Sequence, residues 1–486
     1  MENYQKEVKE LSNQRIEHSL SLRKKKLNEY IFKRRLEPRN KTYSIKKEDI
    51  HIRPEFKDKK FKDIKELLNF CTNILGNEQS DINDIKFVIF MLKMTEIKKD
   101  EGEISDSNIL KEMTKVFVKY INDIIIVDGL LGILINFTYF LETETNMNLL
   151  TNDYLTIHSK ITTLYFNDDS IFCDLITLLG NLSCDNNTAQ KLFYTTNLFE
   201  EIYNLVLNEK APKVKRDICI WFLAIFTKGI QKNNYFINNI KLFKSLIDIM
   251  VLHFPKEEHT ECCLDSIGNL CEIPSLVEYI IKKAEIFNYI LEVDKQDLFY
   301  LFNKILANIT SYNEDVNLYL IENYKLIPYI LKNLSSSSTI IKGQMIFIIG
   351  NIVENKPSKI NEILYNFGII DKIFEFLDTS FPDNLDKALF VLNIILMSLN
   401  KEGIFRLFQK NIHLKLINIL KNDYKRDIID KTIDAIFKFL EKDSPDCIIK
   451  QSFIDNGLKE VFSTMVLDRN DAEIFLKTEE ILKNYF

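Results

Sequence analysis

Glycine and proline are scarce in this 486-residue chain, with 12 and 9 copies, so most of the turn punctuation that strand-rich folds require is missing. Tryptophan occurs once. The eight cysteines, at 71, 173, 184, 219, 262, 263, 271 and 447, form no Cys-x-x-Cys pair, a spacing that fits reduced, mostly buried thiols better than a disulfide framework. There is no phosphate-binding Gly-rich loop, no His-Glu-x-x-His and no Gly-x-Ser-x-Gly. Catalysis has no evident residue to rest on, and the expectation is a protein that is not an enzyme and carries no cofactor. His253, His259, Cys262 and Cys263 lie close in sequence, but their spacing matches no zinc pattern, and packing is expected of the cysteines. The opening MENYQKEVKE lacks the apolar stretch of a signal peptide, and the most apolar segment, IIIVDGLLGILINF, carries Asp128. These features lead to the expectation of a soluble intracellular chain without membrane insertion.

What is present is apolar residue, at 46% of the chain, enough for a large core. The net charge of −6 hides an asymmetry: residues 1 to 60 hold 18 Lys and Arg against 10 Asp and Glu. The arm is therefore +8 and the remainder −14. A basic arm alone points to nucleic acid or a membrane surface; an acidic body makes both less attractive, and direct nucleic-acid binding is not expected. Opposite charges on one chain let the arm lie on its own body, or compete with something basic that does.

Beyond residue 60 one apolar helical pattern returns at a nearly fixed interval. Aligning LLGILINFT, LITLLGNLS, IWFLAIFTK, LDSIGNLCE, FNKILANIT, MIFIIGNIV and LFVLNIILM places Asn136, Asn181, Ile225, Asn269, Asn308, Asn351 and Ile394 at one equivalent position, here the Asn position. The intervals are 45, 44, 44, 39, 43 and 43, and Lys438 continues them at 44. Such a period belongs to armadillo or HEAT units, whose helices cannot bury their apolar faces alone and therefore stack. Gly180, Gly268 and Gly350 each precede an aligned Asn, where a small residue permits close approach of neighbouring helices. The expected fold is an all-α, armadillo-repeat, right-handed superhelical solenoid. About ten repeats are expected over residues 61–486, preceded by a basic, largely disordered arm over 1–60.

Two stretches narrow the family. The arm QRIEHSLSLRKKKLNEYIFKRR resembles the importin-β-binding domain of importin-α in its Arg-Ile-Glu, Leu-Arg-Lys-x-Lys and Lys-Arg-Arg elements, and GNLSCD at 180 to 185 is similar to a Gly-Asn-Ile-Ala-Gly-Asp type motif of that family. The closing AEIFLKTEEILKNYF also looks like the family's last helix. The resemblance runs from about residue 14 to the end and is weak over residues 60 to 125. It implies that Arg15, Arg23, Lys24, Lys25, Lys26, Lys33, Arg34 and Arg35 contact importin-β, and that the Lys-Arg-Arg triplet can act as an autoinhibitor in the chain's own groove.

The family's concave helices carry Trp and, four residues later, Asn: the indole stacks on a Lys or Arg stem while the amide bonds the peptide backbone. Here the pairs are Gly132 and Asn136, Thr177 and Asn181, Trp221 and Ile225, Asp265 and Asn269, Lys304 and Asn308, Phe347 and Asn351, Phe390 and Ile394. Five of the seven Asn positions hold Asn, but one aromatic position holds Trp, which shifts the expected chemistry from stacking towards charge. The resemblance implies a major signal site of Asn136, Asn181, Asp185, Trp221 and Asp265, with Asp185 pairing the most deeply bound lysine and Asp265 meeting another directly. A minor site comprises Lys304, Asn308, Phe347, Asn351 and Phe390. The implied function is a nuclear import adaptor that shuttles between cytoplasm and nucleus. Its partners would be importin-β, cargo proteins with basic localisation signals, an export receptor of the importin-β class and nucleoporins. The alternative is a catenin-like armadillo scaffold for cytoskeletal or signalling partners, which leaves the basic arm unexplained.

Overall fold

The computed structural model describes residues 45, 50, 52–56, 59–94, 108–140, 158, 160–184, 186–195, 197–230, 233, 235–236, 239–256, 258–292, 298–354, 363–379, 381–422, 424–443, 446–467 and 472–486. All regular structure among them is helical. The aligned apolar segments form α2 to α9 of a series of helices named here in chain order: α1 (Ile82–Met94), α2 (Ile124–Phe140), α3 (Asp169–Ser183), α4 (Lys213–Phe226), α5 (Thr260–Leu270), α6 (Phe299–Thr310), α7 (Thr339–Glu354), α8 (Pro382–Ser398), α9 (Arg426–Glu441) and α10 (Ala472–Tyr485). None of the described helices is long and apolar enough to cross a membrane.

The polar breaks work as helix starts. After α3, α6 and α8, the side chains of Asn186, Asn313 and Asn400 accept from the N–H groups of Ala189, Val316 and Gly403 at 3.1, 2.9 and 2.9 Å, satisfying donors that a helix cannot pair internally. In three successive units the turn between the two shorter helices has positive φ, at Gly368 (70°), Asn411 (60°) and Gly457 (82°). This left-handed conformation is open to glycine and tolerated by asparagine.

The chain divides into two compact units, residues 1–182 and 183–486. In the first, α1 packs on α2, and Ile64–Gly76 packs on Ile109–Lys119, which also touches α2. The segment just before residue 60 belongs to this core. Ile50 is buried, Phe56 stacks on Phe87 at 5.7 Å and meets Phe70 edge-on at 5.4 Å, and Arg53 pairs with the buried carboxylate of Asp84. The arm, expected to end near residue 60, thus gives way to packed structure by residue 50, because Ile50 is buried, Phe56 finds aromatic partners and Arg53 finds a buried carboxylate there. Residues 1–44, and with them every residue assigned to importin-β, lie outside the described residues.

In the second unit α4 packs on α5, α5 on α6, and so on without a break to α10. A helix with a neighbour on each side has few faces left for water, which is why the whole run Cys219–Phe226 is buried and the sequence reads as apolar all round. The protein is an all-α, armadillo-like helical-repeat solenoid.

Candidate functional site

The equivalent positions of successive long helices come together as the alignment requires, but their polar groups are turned towards one another. Asn308 donates its amide to the Gly268 carbonyl at 2.9 Å and Asn351 donates to the Ala307 carbonyl at 2.8 Å. In both cases the acceptor is the residue before the Asn position of the preceding helix, in its last turn, where carbonyls lack intrahelical partners. Asn181 repeats the contact with Thr138 Oγ1 at 3.1 Å and the Ile135 carbonyl at 3.4 Å. Asn269 donates to Thr227 Oγ1 at 3.3 Å. The asparagines therefore form the rungs of a ladder, pinning α3 to α2, α5 to α4, α6 to α5 and α7 to α6. An amide has two N–H donors and an acceptor, so the bond from Asn308 leaves it further capacity for a ligand. Asn136 is exposed, and Asp185 lies outside the described residues.

At two of the positions four residues before the aligned point, Lys304 and Phe390, the side chain covers a glycine of the preceding helix. A Cβ built on Gly268 would lie 2.9 Å from Cδ and Cε of Lys304, and one built on Gly350 would lie 3.4 Å from Cε1 of Phe390. The side chain from one helix thus covers the glycine of the preceding helix. The cover over Gly350 is close, with Phe390 9% exposed; Trp221 is 4% exposed. Trp221, expected as an open stacking surface for a ligand lysine, is core in this conformation, since it sits on a helix enclosed by its neighbours. Phe347 is half-buried and keeps part of its ring accessible. Thr177 is buried and donates to the Cys173 carbonyl at 2.7 Å.

Asp265 differs from expectation. Its carboxylate faces Lys304 of the next helix, Nζ to Oδ1 at 2.5 Å, and the same ammonium donates to Asn269 Oδ1 at 2.6 Å. A charge in a helix interface is tolerated when paired and hydrogen-bonded, and Lys304 is the cation within reach. The same pairing of adjacent helices recurs towards the C-terminus, where Lys431 pairs with Asp386 and Lys477 donates to Asp430 and Asp434 at 2.6 and 3.2 Å. Lys442 donates to the carbonyls of Leu396, Met397 and Leu399 at 2.6, 3.0 and 2.8 Å, closing the end of α8. Burial, with Lys442 and Lys477 nearby, holds the ammonium of Lys438 below its ordinary range despite the Asp434 carboxylate.

Sequence alignment missed Asn393, one residue before the aligned Ile394. Its amide donates to the Lys431 carbonyl at 2.8 Å and its oxygen accepts from Lys438 at 2.9 Å. A one-residue shift of the α8 register would have found it. Among the described residues no cluster of three His, Cys, Asp or Glu side chains is arranged to hold a metal. His259 Nε2 is 3.1 Å from Asp217 Oδ1, and Cys262 donates its thiol to the His259 carbonyl.

No family model matches the chain, and no curated protein does. Solved structures do. A crystal structure of an engineered protein is 13% identical, with a TM-score of 0.64, over 86% of this chain and 98% of that one. A crystal structure of computationally designed armadillo repeat proteins for modular peptide recognition has 16% identity and a TM-score of 0.43 over 49% of this chain and 98% of its own. A designed armadillo repeat protein in complex with the peptide (KR)4 has 18% identity and a TM-score of 0.43 over the same shares. At such identities the likeness concerns fold alone.

Proposed function

We propose that this protein is a nuclear import adaptor that binds basic localisation signals of cargo along the face carrying the asparagine ladder and links them to importin-β through its N-terminal arm. The observation that carries this reading is the joining of two parts. A +8 arm with Arg-Ile-Glu, Leu-Arg-Lys-Lys-Lys and Lys-Arg-Arg elements at importin-α-like spacing precedes a −14 body built of armadillo-like repeats. The arm supplies cations for a larger acidic partner and, when released from it, can compete with cargo for the acidic body. The asparagine series supports a backbone-binding role because it recurs at five of the seven aligned positions, as a peptide extended along the repeats would require. The aromatic lining is sparse, so charge would dominate over stacking, and peptide affinity would fall steeply with salt.

The test is capture of importin-β, together with titration of a fluorescent lysine-rich signal peptide, comparing the full chain with one lacking residues 1–43. Truncation at 43 spares Ile50, Arg53 and Phe56, whose packing on the first repeat would confound a longer deletion. The expected result is loss of importin-β capture and tighter peptide binding. Undiminished capture of importin-β by the truncated chain would remove the basis of the proposal.

A further inference from the structure

The contacts of Lys304 describe a binding site already filled. An ammonium has three donors, and this one meets Asp265 Oδ1 at 2.5 Å, Asn269 Oδ1 at 2.6 Å and the Asp265 carbonyl at 3.3 Å. All three acceptors belong to α5, whereas the lysine comes from α6. The four-carbon stem reaches them across Gly268, where any side chain would collide with Cδ and Cε at 2.9 Å. Carboxylate, amide oxygen, carbonyl and a glycine trough together form a receptor for a primary alkylammonium. The receptor is not sealed. The Lys304 side chain is 2% exposed, but that of Asp265 is 21% exposed, so the anionic end opens on solvent. At the equivalent place on α7, Gly350 receives the ring of Phe390, and on α9 Asp434 receives Lys477 beside Phe437 rather than a glycine; on α5 the glycine trough and the ammonium acceptors coincide.

We propose that Asp265, Gly268 and Asn269 form a lysine-side-chain subsite that Lys304 occupies in cis as a gate, so that a ligand lysine enters only when Lys304 swings out. Exchange of one lysine for another leaves the pocket's bonds unchanged in kind. What favours Lys304 is its tether, equivalent to an effective concentration on the order of millimolar or higher. The wild-type pocket therefore rejects isolated amines and admits a lysine only from a ligand held by other contacts as well. The pocket is independent of the adaptor role; the gate rests on it, because a peptide must be the ligand.

Lys304→Ala removes the occupant and leaves a void matching n-propylammonium. Thermal unfolding of wild type, Lys304→Ala and Lys304→Ala/Asp265→Asn in n-propylammonium chloride, against sodium chloride at equal ionic strength, tests the pocket. Tm should rise with the amine for the single variant and not for the other two. The lysine-rich peptide should bind Lys304→Ala about tenfold tighter than wild type, the gain expected when the effective concentration of the removed cis competitor is about ten times its dissociation constant for the pocket. An equal amine response in single and double variants would overturn the pocket, whether or not wild type still binds peptide. An amine response confined to the single variant, with peptide affinity unchanged, would overturn the gate. Absence of peptide binding to every form would instead count against the adaptor role. Should Lys304→Ala fail to fold, reductive methylation of wild type decides: Lys304 should be protected in the free protein and modified several-fold faster when peptide is bound, and unaltered protection in the complex would refute the gate.

Discussion

Two N-terminal truncations that differ by 17 residues should behave very differently. Removing residues 1–43 takes away only chain that precedes the packed segment, whereas removing residues 1–60 also deletes Ile50, Arg53, Phe56 and Lys59. Burying an isoleucine side chain contributes about 1.5–3 kcal/mol, and Ile50 is 7% exposed. Phe56 makes two aromatic contacts, with Phe70 and Phe87, worth about 0.5–1.5 kcal/mol each beyond area burial. Lys59 lies over the Phe70 ring at 4.0 Å, a further contact of roughly 0.5–1 kcal/mol. Loss of Arg53 leaves Asp84, 3% exposed, with the Asp81 N–H at 3.0 Å but without its cation. Because Phe56 and Arg53 are themselves partly exposed, the lower ends of these ranges apply, and the longer truncation should destabilise the first unit by about 3–5 kcal/mol. Hydrogen exchange followed by mass spectrometry would read this as lost protection in Ile64–Gly76 and α1, with α5 to α10 unaffected as an internal control. Equal protection of α1 in the two truncated forms would refute the reasoning and return residues 45–60 to the arm.

The ion pair and the ladder make further predictions. Lys304→Met should cost about 2–4 kcal/mol in urea unfolding, near the range for breaking a buried pair, while Lys304→Met combined with Asp265→Leu should recover most of the loss, since apolar replacements can substitute for a buried pair. Asn351→Ala should cost about 1–2 kcal/mol through its lost bond to the Ala307 carbonyl, and Asn351→Asp more, because a carboxylate cannot donate to that oxygen; equal urea midpoints for the two variants would contradict the assigned geometry. Trp221→Ala should lower stability by about 3–5 kcal/mol as a core truncation, measurable by calorimetry before any peptide is added. Burial lowers the imidazole of His158 to about 3 against an ordinary 6.5, so the unfolded chain binds the extra proton first. Stability from this group is full above pH 6.5 and lost as pH falls towards 3, at up to about 1.4 kcal/mol per pH unit. A flattened acid limb in His158→Gln would confirm the source.

The recurring interval of the long helices, the occurrence of Asn at one point in it and the glycine before that point were all legible in the sequence. They are local regularities: an apolar helix has to repeat its face, and a close approach of backbones needs a residue without Cβ. The same regularities singled out Asn308, Asn351, Lys304 and Phe390, expected to line a ligand site and found at contacts between successive helices. They could not say which way a polar group points. An amide at the end of a helix can bond a passing ligand or the carbonyl of the helix behind it, and the sequence contains both possibilities with equal spacing. Only the stacking decides, by bringing the last-turn carbonyls of Gly268 and Ala307 within reach. The same holds for Lys304, whose carboxylate partner lies 39 residues away, and for Trp221, which is exposed or enclosed according to what covers α4. Residues 50–56 illustrate the converse, since the net charge of residues 1–60 as a whole assigns them to the arm until the first repeat presents Phe70, Phe87 and Asp84 to receive Phe56 and Arg53. Periodicity is a property of the chain and can be counted along it; the pairing of polar groups across an interface is a property of two surfaces, and exists only once they meet.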